Sequence, residues 1–211
     1  PLRRHGFDGE LLMLARALRH VPPWTIYIVG ALPALWMTYQ TLTGTIGIDP
    51  VRAIEWGLGL WALRLLIATL CVTPLRWVGL NLMRFRRQLG LVAFAYVVLH
   101  FTAWLTIDMG LRWGQILPDL VKRWYIVVGM AALILLVPLA VTSNTAAIRR
   151  LGAKGWNRLH KLAYPATILA TVHFMMVGKV YTAEVLIYAG ILCALLAVRV
   201  GRSVLQWRDG A

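Results

Sequence analysis

The chain has 211 residues, of which 60% are hydrophobic, and a formal net charge of +14 at pH 7. A soluble domain is nearer half apolar, so a globular protein dissolved in water is excluded. The basic balance raises the question of nucleic acid, but no zinc-finger spacing, RNA-binding signature or base-reading basic helix is present. The basic residues gather in short segments between apolar runs, as in membrane proteins. We therefore expect one integral membrane domain in contact with lipid, and no nucleic-acid partner.

Six apolar runs are long enough to form transmembrane helices, which need about twenty residues each. None alternates apolar and polar residues, which favours an all-α fold. The predicted spans are Trp24–Leu42, Gly57–Leu75, Gln88–Ile107, Trp124–Val141, Leu162–Val177 and Ala183–Val198. We predict a six-transmembrane-helix bundle over residues 24–200, preceded by a cytoplasmic or interfacial segment (1–23) and followed by a cytoplasmic tail (201–211).

The distribution of basic residues predicts the orientation of these spans. Sixteen of the 22 lysines and arginines lie on one side, together with both termini, and five lie on the other. The positive-inside rule therefore predicts that both termini are cytoplasmic. Within the N-terminal segment, Glu10–Val21 interleaves leucines with Arg16 and Arg19, which predicts a short helix lying on the inner leaflet.

Two histidines, His100 and His173, lie deep inside separate spans. An ionisable side chain within a span is costly and by default indicates a functional site. His100 is twelve residues into the third span, about 18 Å at 1.5 Å per residue. His173 is eleven residues into the fifth span, about 16–17 Å by the same rise. Because both spans enter from the same side, the two imidazoles are predicted to lie at the same depth.

Two imidazoles at one depth favour a bis-histidine haem clamp, because neutral histidine is a common axial ligand of iron. Two other interpretations compete with it. Each histidine could be satisfied separately by a carbonyl or hydroxyl of a neighbouring helix. The second competing interpretation is a proton relay. Relays normally use carboxylates, and we expect no carboxylate inside the spans.

A second site is indicated on the cytoplasmic side by His160, which precedes His173 by thirteen positions, or about 19–20 Å along a helix. The positions thirteen and fourteen before His100 hold Arg87 and Arg86, not histidine. A second haem here would lack one ordinary ligand. The two arginines either serve only topology or bind haem propionates, a flavin phosphate or a quinone carbonyl, since guanidinium pairs with such groups.

Arg64 is the one basic residue inside a predicted span, about eight residues from the outer end of the second span. It either extends its side chain toward the outer face or neutralises a haem propionate near His100 and His173. Because we expect no carboxylate in any span, a cofactor carboxylate is the counter-ion that this sequence suggests.

Several motifs match one family in order and spacing, over about Ile28 to Arg199. The motifs are LPALW (Leu32–Trp36), GIDPV (Gly47–Val51), ATLCVTP (Ala68–Pro74), RRQLG (Arg86–Gly90), VTSN (Val141–Asn144) and WNRLHKLAY (Trp156–Tyr164). In these motifs the chain resembles the ferric-reductase-like transmembrane proteins and, among them, the MsrQ family, also called YedZ.

The resemblance implies a multi-pass b-type cytochrome of the bacterial inner membrane. Such a subunit passes electrons from the quinol pool to a periplasmic, molybdopterin-containing methionine sulfoxide reductase, which repairs oxidised proteins. The implied cofactors are haem b in one or two copies and FMN, with quinone as electron donor. By position, His100 and His173 would be haem ligands, His160 would serve the cytoplasmic-side site, and Arg86 or Arg87 stands near the family's fourth histidine.

Two alternative functions remain at this stage. The same helices and histidines would suit a ferric or cupric reductase that acts directly on extracellular metal, with only the electron acceptor differing. A haem-free membrane scaffold or small transporter with structural histidines is the other alternative. The chain has no evident group for sulfoxide chemistry, so under the first interpretation it delivers electrons and its partner carries out the reduction.

Overall fold

A computed structural model describes residues 13, 16–178 and 182–209, and these residues form helices and connecting turns without strands. A 3₁₀ turn (Met83–Phe85) precedes the third helix, and a π-helical turn (Trp104–Asp108) continues it. The helices are α1 (Thr25–Leu42), α2 (Pro50–Trp77), α3 (Arg86–Ala103), α4 (Trp113–Lys122), α5 (Trp124–Val141), α6 (Thr145–His160), α7 (Ala163–Val177) and α8 (Ala183–Asp209). The predicted all-α fold is confirmed. Of the predicted inner-leaflet helix Glu10–Val21, the described residues 16–20 are helical and most of the remainder lies outside the described ranges.

Four helical stretches in the described part of the chain are long and apolar enough to cross a membrane. They are Pro50–Trp77, Met83–Asp108, Trp124–Val141 and Ala183–Gln206. The predicted first and fifth spans are also helical, as α1 with 18 residues and α7 with 15. At 1.5 Å per residue, α7 measures about 22 Å, which is shorter than a hydrocarbon core of about 30 Å. The count of six spans therefore stays a prediction.

Helix α2 begins seven residues before the predicted span, and its first turn explains why. The Asp49 side chain accepts a hydrogen bond from the Arg52 backbone N–H (3.1 Å), and Pro50 occupies the first helical position. Both are favourable signals for a helix start. The extension places Arg52 and Glu55 on the helix that also carries the apolar core residues.

The predicted connection between the fourth and fifth spans contains helix α6. Asn144 begins it by accepting from the Ala147 N–H (2.8 Å), and Gly152 breaks it with a φ of 69°. His160 is its last residue, and a turn at residues 161–162 separates it from α7. His160 and His173 therefore lie on separate helices. The distance of about 19–20 Å between them was calculated for one continuous helix, and the turn corrects that assumption.

The interior is built around α2. Its buried residues pack in three clusters, against α1 and α3, against α7 and α8, and against α3, α5 and α7. Elsewhere the helices expose large apolar side chains, among them Trp36, Ile134 and Leu186. Exposed apolar surface on this scale suits contact with lipid. The buried faces of α2, α3, α5 and α7 meet around the cavity described below.

Helix α1 is attached to α3 through Tyr96. The Tyr96 hydroxyl donates to the Gly30 carbonyl (2.7 Å) and accepts from the Ala34 N–H (3.0 Å). In a regular helix these two backbone groups bond each other, so the hydroxyl is inserted into the hydrogen-bond ladder of α1. Gly30 permits the close approach, since a Cβ there would lie 2.6 Å from Cγ1 of Val92.

The Tyr96→Phe substitution tests this attachment. It removes both hydrogen bonds while keeping the ring, and the freed backbone groups of α1 then bond each other, so a loss of about 1–2 kcal/mol is expected. The Tm of the detergent-purified protein should fall. Tyr39→Phe is the matched control, because the exposed Tyr39 ring only stacks on Trp36. Equal Tm values for both variants would contradict the inserted hydroxyl.

Candidate cofactor site

A cavity of about 800 Å³ lies between α2, α3, α5 and α7. That volume is within the range of small-molecule and cofactor sites. Its deep walls are apolar side chains from all four helices and the start of α8, including Leu63, Leu66, Val97, Leu136, Phe174 and Val185. These residues occupy buried or partly buried positions of the apolar helices, so the core itself forms the site.

His100 and His173 both line this cavity, as predicted from their equal depth. Their ring centroids are 6.2 Å apart and the ring planes meet at 70°. A metal bound to one nitrogen of each ring requires nitrogens about 4 Å apart, since each metal–imidazole bond is about 2 Å. The remaining 2 Å or so of the centroid separation is the sum of two distances, each from a ring centroid to the metal-binding nitrogen of that ring. The two imidazoles are thus spaced to share one metal ion.

The hydrogen bonds of the two rings determine which nitrogen is available. Nδ1 of His100 lies 3.0 Å from the Glu55 carbonyl oxygen, and Nδ1 of His173 lies 2.7 Å from the Tyr125 carbonyl oxygen. A carbonyl only accepts, so each Nδ1 carries the proton and Nε2 of the neutral ring keeps its lone pair. Within the described residues neither Nε2 has a hydrogen-bond partner. This is the usual arrangement of a metal-binding histidine, whose other nitrogen is held by a carbonyl.

One end of the cavity, which we call the mouth, is charged. It is lined by Asp49, Arg52, Glu55, Asp108 and Arg123. Arg123 also donates to the Tyr125 hydroxyl (3.2 Å) and pairs with Asp119 (3.4 Å). Apolar deep walls and two facing imidazoles fit a flat apolar macrocycle with a central metal, and haem is such a molecule. The two arginines, which lie among three carboxylates at the mouth, offer partners to carboxylates at one edge of such a cofactor. The residues present therefore fit haem.

Comparison with known proteins identifies the family. A model described as "Ferric reductase like transmembrane component" matches residues 56–171. The chain is 49% identical over 189 residues to the "Protein-methionine-sulfoxide reductase heme-binding subunit MsrQ" of Brucella ovis, which covers 89% of this chain and 86% of that protein. Proteins of the same name from Brucella abortus and Brucella suis show the same identity and coverage. The chain belongs to the MsrQ family.

Sequence reasoning missed two basic residues that line this cavity, Arg52 and Arg123, and counted them as outer-side charges. A signal for Arg52 was present, because the Asp49-Pro50 helix start places it in the first turn of α2, on the helix that walls the cavity. Arg123 lies just before α5 and two residues from Tyr125, whose carbonyl holds His173. Its place at the mouth depends on how α5 packs against α7, which the local sequence does not reveal.

Arg64 does not line the cavity, and its partner is a residue of the chain. Its Nη2 lies 3.1 Å from Oε1 of Glu184, and its Nε donates to the Tyr188 hydroxyl (2.6 Å). Glu184 belongs to the predicted sixth span, so the expectation of no carboxylate in the spans is wrong. The suggestion that Arg64 meets a cofactor carboxylate is corrected accordingly. A carboxylate in the first turn of α8 is also favoured by the helix dipole.

His160 lies away from the cavity. Its Nε2 is 3.1 Å from the Thr142 hydroxyl, which itself donates to the Pro138 carbonyl (2.6 Å). Nε2 must therefore donate to Thr142, and Nδ1 is left as the acceptor. The ring stacks on Trp156, with centroids 3.8 Å apart. Burial lowers the pKa of His160 below the ordinary imidazole value, and the nearby Arg86 guanidinium lowers it further, so the ring is neutral at pH 7.

Arg86 and Arg87 are the first two residues of α3, and their side chains point in different directions. Arg86 is half-buried and lies close enough to act on His160, whereas Arg87 is exposed. Of the two arginines singled out from the sequence, only Arg86 is therefore brought toward His160. Successive residues of a helix point about 100° apart, which explains the division.

The Glu184→Gln substitution tests the reassignment of Arg64. It leaves the guanidinium without its carboxylate, so Tm should fall, by less than for a fully buried pair because the side chains are 35% and 39% exposed. Haem content and absorption spectrum should not change, because the pair lies outside the cavity. Asp119→Asn, which breaks the peripheral pair with Arg123, is the control and should lower Tm less. A loss of haem in Glu184→Gln would contradict the placement of Arg64.

Proposed function

We propose that this chain is a membrane b-type cytochrome that relays electrons to a methionine sulfoxide reductase, through a haem held by His100 and His173. The observation that carries the proposal is the pair of imidazoles in one cavity, each held at Nδ1 and free at Nε2. The names of the relatives, which describe heme-binding subunits of protein-methionine-sulfoxide reductase, support it. The haem supplies a centre that takes up and gives back one electron at a time.

In the proposed topology the chain spans the bacterial inner membrane six times, with both termini in the cytoplasm. The basic residues near α6 and the start of α3 then face the cytoplasm, as the positive-inside rule requires. The mouth of the cavity faces the periplasm. Residues 24–200 form the haem domain between the segment 1–23 and the tail 201–211. This orientation brings the haem close to the face where a periplasmic, molybdopterin-containing partner would dock.

The chain holds its cofactor with three kinds of group. The apolar deep walls would exclude water from the macrocycle, and the two Nε2 atoms would bind its iron. Arg52 and Arg123 at the mouth would hold the propionates, because a guanidinium forms charge-assisted hydrogen bonds with carboxylates.

Electron entry is placed at the opposite, cytoplasmic end, at His160, Arg86 and Arg87. The neutral His160 ring offers Nδ1 as a hydrogen-bond acceptor to a quinol hydroxyl, and Arg86 offers donors to a quinone carbonyl or to the FMN phosphate. Arg87 adds positive charge at the surface of the same end. Because Nε2 of His160 is hydrogen-bonded to the Thr142 hydroxyl, this site suits a quinol or FMN better than a second haem.

Alanine substitutions of the histidines test the haem site. His100→Ala and His173→Ala should each abolish the low-spin b-type spectrum, because each removes an axial ligand from a site that has two. His160→Ala is the matched control and should keep the haem while slowing its reduction by quinol. The measurement is the reduced-minus-oxidised spectrum with a pyridine haemochrome count per chain. Full haem in either His100→Ala or His173→Ala would refute the ligand assignment.

Glutamine substitutions test the arginines at the mouth. Each of Arg52→Gln and Arg123→Gln removes a charge-assisted bond of about 1.5–3 kcal/mol, so haem should dissociate at least roughly tenfold faster. The midpoint potential should become more negative, because a positive charge that favours reduction is lost. Arg112→Gln is the control, since its guanidinium bonds the Met109 carbonyl instead. If all three variants behave like the parent protein, the propionates lie elsewhere.

Reconstitution distinguishes this relay from a direct metal reductase. Dithionite-reduced protein is freed of excess reductant and then mixed with a periplasmic methionine sulfoxide reductase or with a ferric chelate. Rapid reoxidation by the sulfoxide reductase alone supports the relay. Rapid reoxidation by ferric chelate alone supports the reductase alternative.

A further inference from the structure

Two glycines lie directly against the two proposed haem ligands. A Cβ built on Gly59 would lie 3.2 Å from both Nδ1 and Cε1 of His100. A Cβ built on Gly129 would lie 2.9 Å from Nδ1 and 3.0 Å from Cε1 of His173. A side chain at Gly129 would therefore force the His173 ring to move, and one at Gly59 would press on the His100 ring.

The position of each glycine within its helix explains the contact. Gly59 follows Glu55 by four residues on α2, and Gly129 follows Tyr125 by four residues on α5. A helical side chain leans back over the preceding turn, so the residue at i+4 covers the carbonyl of residue i. Because glycine has no side chain, it leaves the carbonyl of residue i accessible to a donor on a neighbouring helix. Because a carbonyl oxygen has two lone pairs, it can accept from an imidazole as well as from its own helix.

The same arrangement occurs twice. The donor–acceptor pairs are 45 residues apart for His100 and 48 residues apart for His173. In each case a helix that contributes an open carbonyl and a glycine packs against the helix that contributes the histidine, α2 with α3 and α5 with α7. The two bonds together hold the ring planes at 70° to each other.

We propose that Gly59 and Gly129 are positioning residues of the haem site, each keeping a helix carbonyl accessible to the Nδ1–H of one axial histidine. The inference rests on the proposed haem function and deepens it. The carbonyl bond makes the imidazole a stronger electron donor, which favours ferric iron and lowers the midpoint potential. It also fixes the ring plane, so the two glycines determine the angle between the axial ligands.

The glycine-to-alanine series is expected to be graded. Gly129→Ala brings a methyl group to 2.9 Å of His173 and forces the ring away from the Tyr125 carbonyl. Gly59→Ala, at 3.2 Å, displaces His100 less. Both variants should raise the midpoint potential, Gly129→Ala by more. Gly90→Ala on α3 is the matched control, because a Cβ there has no heavy atom within 4 Å.

Potentiometric titration and the low-spin ferric EPR signal are measured together on the detergent-purified, haem-loaded proteins. Steeply inclined ring planes predict a strongly anisotropic low-spin signal for the parent protein. That signal should change in Gly129→Ala and Gly59→Ala and stay constant in Gly90→Ala. A general loosening of helix packing would lower Tm without this directed change in potential and EPR signal.

Unchanged potential and EPR signal in a haem-loaded Gly129→Ala protein would overturn the positioning role and leave the haem proposal intact. A folded parent protein without haem would refute the proposed function itself. If Gly129→Ala folds but loses haem, the change is combined with His173→Gly and free imidazole is added. An untethered imidazole can move away from the methyl group, so haem binding should return. Failure of this rescue, with rescue of His173→Gly alone, would overturn the inference.

Discussion

The hydrogen bond from a histidine Nδ1–H to a helix carbonyl is the constraint on which the site depends. A neutral imidazole buried among apolar helices must satisfy one nitrogen to leave the other free for a ligand. His100 and His173 meet this requirement through the Glu55 and Tyr125 carbonyls. Each bond requires two helices in close contact, and that contact defines the walls of the cavity between them.

Charge is distributed along the molecule in a way that suits electron transfer across a membrane. The five carboxylates whose side chains the structure describes lie toward the mouth, and include the partners of Arg64 and Arg123. The opposite end carries Arg86 and His160 without a described carboxylate. A reduced donor with acidic groups is attracted to the end that carries Arg86 and His160. Near the mouth, the ion pair between Arg64 and Glu184 connects α8 to α2.

The sequence predicted the helices and the paired histidines because both depend on local patterns, namely the length of apolar runs and the depth of a residue within them. It did not predict the open carbonyls, since Gly59 and Gly129 acquire their meaning only when α3 and α7 pack against them. The Arg64 error arose because Glu184, at the start of α8, was not counted as lying within its span. The turn at residues 161–162 was also missed, so His160 and His173 were placed on one helix.

We propose that two imidazole nitrogens, one from His100 and one from His173, hold a single haem iron. The most direct test is near-infrared magnetic circular dichroism of the oxidised, detergent-purified parent protein, because the energy of the charge-transfer band identifies the axial ligand pair. We expect a low-spin ferric band characteristic of two neutral imidazoles, at a stoichiometry of one such haem per chain. A high-spin spectrum, a band from a different ligand pair, or a folded protein without haem would contradict it.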